Sequence, residues 1–333
     1  MPDERPTLTL AHSPDPDDAF MWWPITGKVA PGSVALGDGT PPDLPVLAPP
    51  VLDTGRFRFR AVPADIEALN RRAIGVADLD VTALSFRAYP EAAGRYALTA
   101  CGSSFGEGFG PRIVCRKDQA RDRVKIGCEG CLKPPHVRIA VPGVKTTAFL
   151  MLGLVLGPEA MGARGRFIEL PFDRVIPAVA SGRADAGLVI HEGQLLFEQA
   201  GLRLVLDVGA WWKERTGLPL PLGGNALRRD LDDRFGAGTR REVGATLHRS
   251  IEHALAHRDE SIDYAIGFAL ANARTSGGVA PDRERVDRYV SMYVNRWTLD
   301  MGGAGREAVR RLLEEGARAG LCPDPGPIDV VSA

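Results

Sequence analysis

The chain has 333 residues, 44% hydrophobic and 25% charged, with a formal net charge of −1 at neutral pH. That length predicts about two units rather than one small domain, and the near-zero charge leaves no electrostatic footprint for nucleic acid or a membrane surface. No apolar run approaches the roughly 18 residues of a bilayer span. The polar start Met1-Pro2-Asp3-Glu4-Arg5-Pro6 lacks the apolar core of an export signal, so a cytoplasmic protein is expected. Five cysteines (101, 115, 128, 131, 322) are an odd number, which in a reducing compartment predicts free thiols.

Thr7–His12 reads as a strand running into the turn Ser13-Pro14-Asp15-Pro16-Asp17-Asp18, whose aspartates are placed to cap a helix starting near Ala19. At the carboxyl end of a strand the same turn is a candidate pocket wall, with Asp18 bonding a ligand hydroxyl. Pro and Gly crowd residues 37–55 into a surface excursion. Arg58–Val62 is the next strand, and Pro63 and Asp65 set the start of a helix through Asp65–Asn70. Asp80–Phe86 and Tyr96–Cys101 follow as strands. Then comes Gly102-Ser103-Ser104-Phe105-Gly106-Glu107-Gly108-Phe109-Gly110-Pro111. Ser104 fits the letter of a Gly-x-Ser-x-Gly nucleophile, but that pattern demands a strand, a sharp turn and a helix. Further glycines, Pro111 and another strand, Arg112–Arg116, follow instead, which excludes a serine hydrolase. Repeated glycine suits close backbone approach to a ligand and a hinge between lobes.

A polar excursion at 117–135 precedes the strand Val137–Val141. Cys115, Cys128, Cys131 and His136 carry the donor types of a tetrahedral zinc site, but one Cys-x-x-Cys pair reads as ordinary thiols, and no metal is expected. Pro142-Gly143-Val144-Lys145-Thr146-Thr147 leads into the apolar helix Thr147–Leu156. Free N–H groups at that helix start, with two threonine hydroxyls, suit a carboxylate. The adjacent Gly-Lys of a nucleotide-binding P-loop is missing. Arg166–Leu170 is a strand and Arg174–Ser181 a helix. The apolar run Ala184–Ile190 then ends on His191, with Gly193 where the chain can turn. An imidazole at a strand's carboxyl end, titrating near neutrality, is placed for proton transfer. After the strand Leu202–Val208 the pattern changes near residue 226. Val243, Leu247, Ile251 and Leu255 recur every four residues, as do Ile262, Ile266 and Leu270, predicting amphipathic helices packed on something already built. Alternating strands and helices argue an α/β protein with a parallel or mixed sheet.

Several segments align in order with one family. They are Ser13 to Phe20, Asp65 to Asn70, Ser85-Phe86-Arg87-Ala88-Tyr89, the Gly-Ser-Ser loop, Gly143 to Thr147 and Ile190-His191-Glu192-Gly193. Leu206 to Pro221, with its Gly-Ala-Trp-Trp, then Tyr293-Val294-Asn295 and Leu299-Asp300-Met301-Gly302 complete the set. The chain resembles the 1,4-dihydroxy-6-naphthoate synthases of the futalosine route to menaquinone over nearly its whole length. The resemblance implies a two-lobed, type II periplasmic-binding-protein-like α/β fold with two interlobe crossings, near Gly106–Pro111 and Asp207–Pro221. Lobe 1 is then residues 1–110 and 216–333, and lobe 2 residues 111–215. It also implies conversion of cyclic dehypoxanthinyl futalosine to dihydroxynaphthoate, releasing a three-carbon fragment without a cofactor. The implied substrate is a small carboxylate.

In that reading His191 is the general base, and Thr146, Thr147 and the helix start hold the aryl carboxylate. Asp18, Ser85, Ser103 and Ser104 complete the substrate contacts. Relatives usually carry Cys and Asn where this chain has Asp15 and Asp17, and either carboxylate pointing inward would oppose an anionic substrate. Two other readings share the scaffold: a cytosolic carboxylate-binding sensor, and chorismate dehydratase, whose members lack the His-Glu-Gly ending.

Overall fold

The computed structural model describes residues 4–37, 39–118, 129–162, 165–276 and 280–332. In chain order the strands are β1 (Thr7–His12), β2 (Lys28–Val29), β3 (Val46–Ala48), β4 (Arg58–Pro63), β5 (Val81–Ser85), β6 (Tyr96–Thr99) and β7 (Ser104–Gly106). They continue as β8 (Arg112–Arg116), β9 (Ile139–Val141), β10 (Phe167–Glu169), β11 (Ala186–Val189), β12 (Leu202–Asp207), β13 (Leu220–Arg228) and β14 (Val330–Val331). A seven-stranded sheet has the order β14-β6-β13-β5-β1-β4, with β7 added on β13. A five-stranded sheet has the order β10-β9-β11-β8-β12, and β2 pairs β3 apart from both. Among the described residues the chain passes between the two large sheets at 107–111 and again at 208–219.

Both sheets are mixed, and their parallel strands set the site. β1 runs parallel to β4, Thr7 opposite Arg58 through His12 opposite Pro63, and parallel to β5. The segments after all three strands therefore emerge at one edge. In the second sheet β9 is parallel to β10 and β11, which brings the segments after Val141 and Val189 to one edge as well. All five residues of β5 and all four of β11 are buried, as expected of short apolar runs covered on both faces. The helix Thr147–Leu156 buries Ala148, Leu150, Met151, Leu152, Val155 and Leu156, so it is a core helix without a solvent stripe.

The C-terminal helices Thr239–Ala256 and Arg258–Ser276 pack on the helix Pro16–Thr26. Val243, Leu247, Ile251 and Ile262 join Phe20, Met21, Trp22 and Ile25 in one core, tied by Trp23 Nε1 to Ser261 Oγ at 2.9 Å. Leu255, Ile266 and Leu270 are only half-buried. Four residues turn a helix about 40° past a full revolution, so a strict four-residue repeat walks off the buried face.

Three local expectations are corrected. The first helix begins at Pro16, not near Ala19, because Pro fits the opening helical position. β11 stops at Val189, two residues short of His191. The turn is made by His191 itself at φ 56°, while Gly193 opens a short helix to Leu196. Within the 37–55 excursion β3 pairs β2, and Arg72 donates to Gly37 O (2.6 Å) and Gly39 O (2.8 Å). Cys128 lies outside the described residues. Cys115 is buried in β8, and among the described residues no group of three or more His, Cys, Asp or Glu is arranged to hold a metal ion. No helix among them is long and apolar enough to cross a membrane.

Candidate active site

The two strand edges face each other across a cavity of about 740 Å³ of atom-free space, solvent mouth included. From the first sheet it takes the turn 13–18, the end of β5, Gly102, Ser104 and the glycine-rich part of β13; from the second it takes Thr146–Ala148 and Ile190–His191. Tyr289 and Tyr293 of a C-terminal helix also reach it.

His191 lies at the centre of the charged wall. Its Nδ1 pairs with Asp15 Oδ2, and the edge of the ring meets Phe172 at 4.7 Å between centroids. Nε2 is buried and has no partner among the described residues. Burial alone would push the imidazole down, but the charge and hydrogen bond of Asp15, with Glu192 and Asp17, outweigh it and raise it to about 9. The carboxylates around it respond to the same crowding. Burial, with the charges of Asp18 and Asp15, pushes Asp17 well up, and burial raises Glu192 to about 7. Asp17 Oδ1 and Asp15 Oδ1 are buried without partners among the described residues. Buried polar atoms normally find a partner, so a cluster of orphans along one wall is what a ligand-receiving surface shows.

The opposite wall is a hydrogen-bond donor. Thr146 caps the helix Thr147–Leu156: its Oγ1 accepts from Phe149 N at 3.2 Å and donates to Gly143 O at 2.8 Å. The N–H groups of Thr147 and Ala148, the first two helical positions, have no acceptor within the helix. Thr147 Oγ1 accepts from Arg87 N at 3.2 Å, which leaves its own hydroxyl hydrogen for the cavity.

The other expected contacts divide. Asp18 lines the cavity with both oxygens engaged, by Ser13 N at 2.7 Å and Trp22 Nε1 at 3.3 Å. Ser85 lines it too; Oγ accepts from Asn70 Nδ2 and Ser85 N donates to Asn70 Oδ1, both at 2.9 Å. Ser104 is on the wall. Ser103 is fully buried behind it, its Oγ without a partner among the described residues.

The sequence reading missed Asn225, Gln194, Tyr289 and Tyr293. Asn225 donates through Nδ2 to Gly102 O at 2.9 Å and keeps a buried, unpartnered Oδ1 on the cavity wall. Its signal was available, an amide following Gly223-Gly224 in an otherwise apolar strand. Of the two tyrosines, four residues apart on a helix, Tyr293 entered the sequence reading only within the aligned segment Tyr293-Val294-Asn295 and Tyr289 not at all.

Contacts close the cavity on both flanks. On one, Glu67 Oε2 accepts from Lys145 N at 2.9 Å and Asn70 Nδ2 donates to Lys145 O at 3.3 Å. A Cβ on Gly143 would meet the Glu67 carboxyl at 2.4 Å, so only glycine admits this approach. On the other, Asn272 Nδ2 donates to Glu192 Oε1 (3.0 Å), and Tyr293 OH to Gln194 Oε1 (3.0 Å).

A family model described as menaquinone biosynthesis matches residues 8–318. The chain is 36% identical over 326 residues to the 1,4-dihydroxy-6-naphthoate synthase of Thermus thermophilus, covering 97% of this chain and 99% of that one. It is 31% identical over 321 residues to the enzyme of the same name from Streptomyces coelicolor, with 96% of each chain covered. Among solved structures, protein AF1704 of Archaeoglobus fulgidus superposes with a TM-score of 0.72 at 36% identity, over 95% of this chain and 98% of that one. The alkanesulfonate-binding protein SsuA of Xanthomonas axonopodis superposes with a TM-score of 0.61 at 14% identity over 98% of both chains, which shows a shared periplasmic-binding-protein fold.

Proposed function

Because the chain belongs to the menaquinone biosynthesis family, we propose that it is a 1,4-dihydroxy-6-naphthoate synthase, a cytoplasmic carbon–carbon lyase acting on cyclic dehypoxanthinyl futalosine. The observation that carries the reading is a single cavity with two chemically opposite walls, a helix start that donates hydrogen bonds and a histidine set among carboxylates. The aryl carboxylate binds at Thr147 N and Ala148 N, where the helix's positive end favours an anion. The Thr147 and Ser85 hydroxyls donate to substrate oxygens, while Thr146 holds the helix start in place. This assignment keeps the substrate carboxylate away from Asp15 and Asp17. His191 takes a proton from the substrate as the ring system becomes aromatic, a contribution worth roughly 10²–10⁴-fold in rate. The lobe contacts on both flanks exclude water from the reactive intermediate.

Incubating the purified protein with cyclic dehypoxanthinyl futalosine should release dihydroxynaphthoate, followed by chromatography and mass spectrometry. Substrate held tightly but unchanged would make the protein a carrier or sensor instead.

The state of His191 sets the pH dependence. A group near 9 is mostly protonated at neutral pH in the free protein, and a base acts only in its neutral form. We therefore expect kcat/KM to rise about tenfold per pH unit below the limb, roughly 50-fold in all from pH 7 to 9, then level off. A profile falling over that range would make His191 the acid.

At the other wall, Thr147→Val removes a donor and should raise KM about tenfold, or about 1.4 kcal/mol, with little change in kcat. Thr147→Ser keeps the hydroxyl and should stay near the wild-type value. Equal KM values in steady-state assays would remove this hydroxyl from substrate binding.

A further inference from the structure

We propose that Asp15 is the positioning residue of His191, a carboxylate carried by one lobe that completes the proton-transfer group carried by the other. The inference rests on the reading of His191 as the base. It begins with a departure from local rules. Asp15 occupies the N-cap position of the helix Pro16–Thr26, where an aspartate ordinarily accepts a backbone N–H of the first turn. It makes no such bond. Its side chain is 3% exposed, with Oδ2 accepting from Ser13 Oγ at 2.8 Å and pairing with His191 Nδ1. The cap interaction is thus given up for a partner on the other sheet.

His191 is adapted from its side as well. Its backbone is left-handed at φ 56°, a strained conformation for a non-glycine residue that persists where the surroundings over-determine it. That turn directs the ring out of the second sheet's edge toward the 13–18 turn. Phe172 packs against one side of it. The charged and titratable groups facing it are Asp15 and Asp17 from the first lobe and Glu192 beside it, with Asp65 farther off. Asp18 is turned toward His12 and Ser13, so it does not compete for the ring.

Holding Nδ1–H on Asp15 fixes the tautomer and prevents a ring flip, which leaves Nε2 as the nitrogen that exchanges a proton. The substrate C–H or O–H bond breaks, its electron pair stays on the substrate, and the proton joins the Nε2 lone pair. Nδ1–H remains on Asp15, whose charge stabilises the imidazolium. Because the two residues belong to different sheets, the base is complete only when the lobes meet. Water-exposed, open lobes would hold a histidine without its partner.

The test compares wild type, Asp15→Asn and Asp15→Glu in two measurements. In the first, kcat and kcat/KM are followed from pH 6 to 10. Asp15→Asn leaves a weaker but more abundant neutral base, so the rate at pH 7 alone is uninformative. The discriminating features are a high-pH plateau of kcat lowered by about 10–100-fold and a kcat/KM limb moved to lower pH. Asp15→Glu should recover part of both. In the second, nitrogen-15 resonances of the His191 ring are titrated in the ligand-free protein. Nδ1 should stay protonated in the wild type while Nε2 titrates, and the midpoint should fall in Asp15→Asn.

Unchanged plateau and limb, or a ring titration indifferent to Asp15, overturns the inference. If the wild type makes no product, the functional reading fails while the ring titration still decides the pairing. Should Asp15→Asn not fold, Asp15→Ala takes its place in both measurements, with the same expectations.

Discussion

His191→Asn is expected to lower turnover by roughly 10²–10⁴-fold while the protein still folds and binds substrate. Asparagine is the informative replacement because it tolerates the left-handed backbone that residue 191 adopts at φ 56° better than most residues do. The loss then reports the imidazole and not a refolded turn. Binding should survive, since the proposed carboxylate site, Thr147 and Ala148, lies on the opposite wall of the cavity. A second signature follows from the raised ring. A histidine shifted from its ordinary 6.5 to about 9 contributes stability that is full below about 6.5 and lost as pH rises through about 9. The melting-temperature deficit of His191→Asn should therefore be largest at the acid side and shrink toward pH 9. Turnover equal to wild type would remove the histidine from the mechanism, and a deficit independent of pH would show that its charge does not support the fold.

Gly209→Ala should be the most destabilising small change, though it lies away from the chemistry. Gly209 is the second residue of the helix Val208–Thr216 in the second passage between the sheets, and Phe109 and Gly110 belong to the first. A Cβ on Gly209 would sit 2.0 Å from both C and O of Phe109 and 2.5 Å from Gly110 N. A Cβ on Gly106 would lie 1.9 Å from Phe109 O. Those neighbours are backbone, which cannot rotate aside as a flexible side chain would. One methyl must push the two passages apart, at a cost of about 3 kcal/mol or more. The displacement also changes how the His191 edge meets the Asp15 turn, so turnover of the folded fraction should fall at least tenfold. Gly108→Ala is the control. It has open space around it and a left-handed φ of 83°, so it should cost only about 1 kcal/mol of backbone strain. Thermal melts of the two variants test this, and a wild-type melt for Gly209→Ala would show that the passages are not in tight contact.

The glycines of 102–110 were read as permitting close backbone approach to a ligand, whereas Gly106 and Gly110 closely approach other backbone. What they approach was not legible, because Gly209 is distant in sequence and its contact exists only once both passages are formed. The same division runs through the site. Strand-length apolar runs and the Asp65 and Thr146 caps follow from spacing and backbone chemistry acting within a few residues. They were enough to place His191 and the Thr147 helix start in the segments that follow strands, though not to stop β11 at Val189, and parallel pairing then brings such segments to one edge. The family resemblance also rests on sequence, and near full-length identity agrees with it.

Side-chain direction belongs to the tertiary structure. Asp15 and Thr146 both stand at N-cap positions, and local rules assign both the same duty. Thr146 performs it, with its hydroxyl engaged by Phe149 N and Gly143 O. Asp15 does not, because a histidine from the other sheet offers a buried carboxylate a charge-assisted partner, roughly twice as strong as a neutral hydrogen bond. Asn225 was passed over for the converse reason. The amide after Gly223-Gly224 was visible in the sequence, but that its oxygen faces the cavity unpartnered follows only from how the strand's neighbours pack. The sequence by itself determined which elements form and which chemical groups stand at their ends. Which of those groups meet was decided by the approach of the two lobes, since a buried polar atom takes the strongest partner within reach and that reach is set by packing.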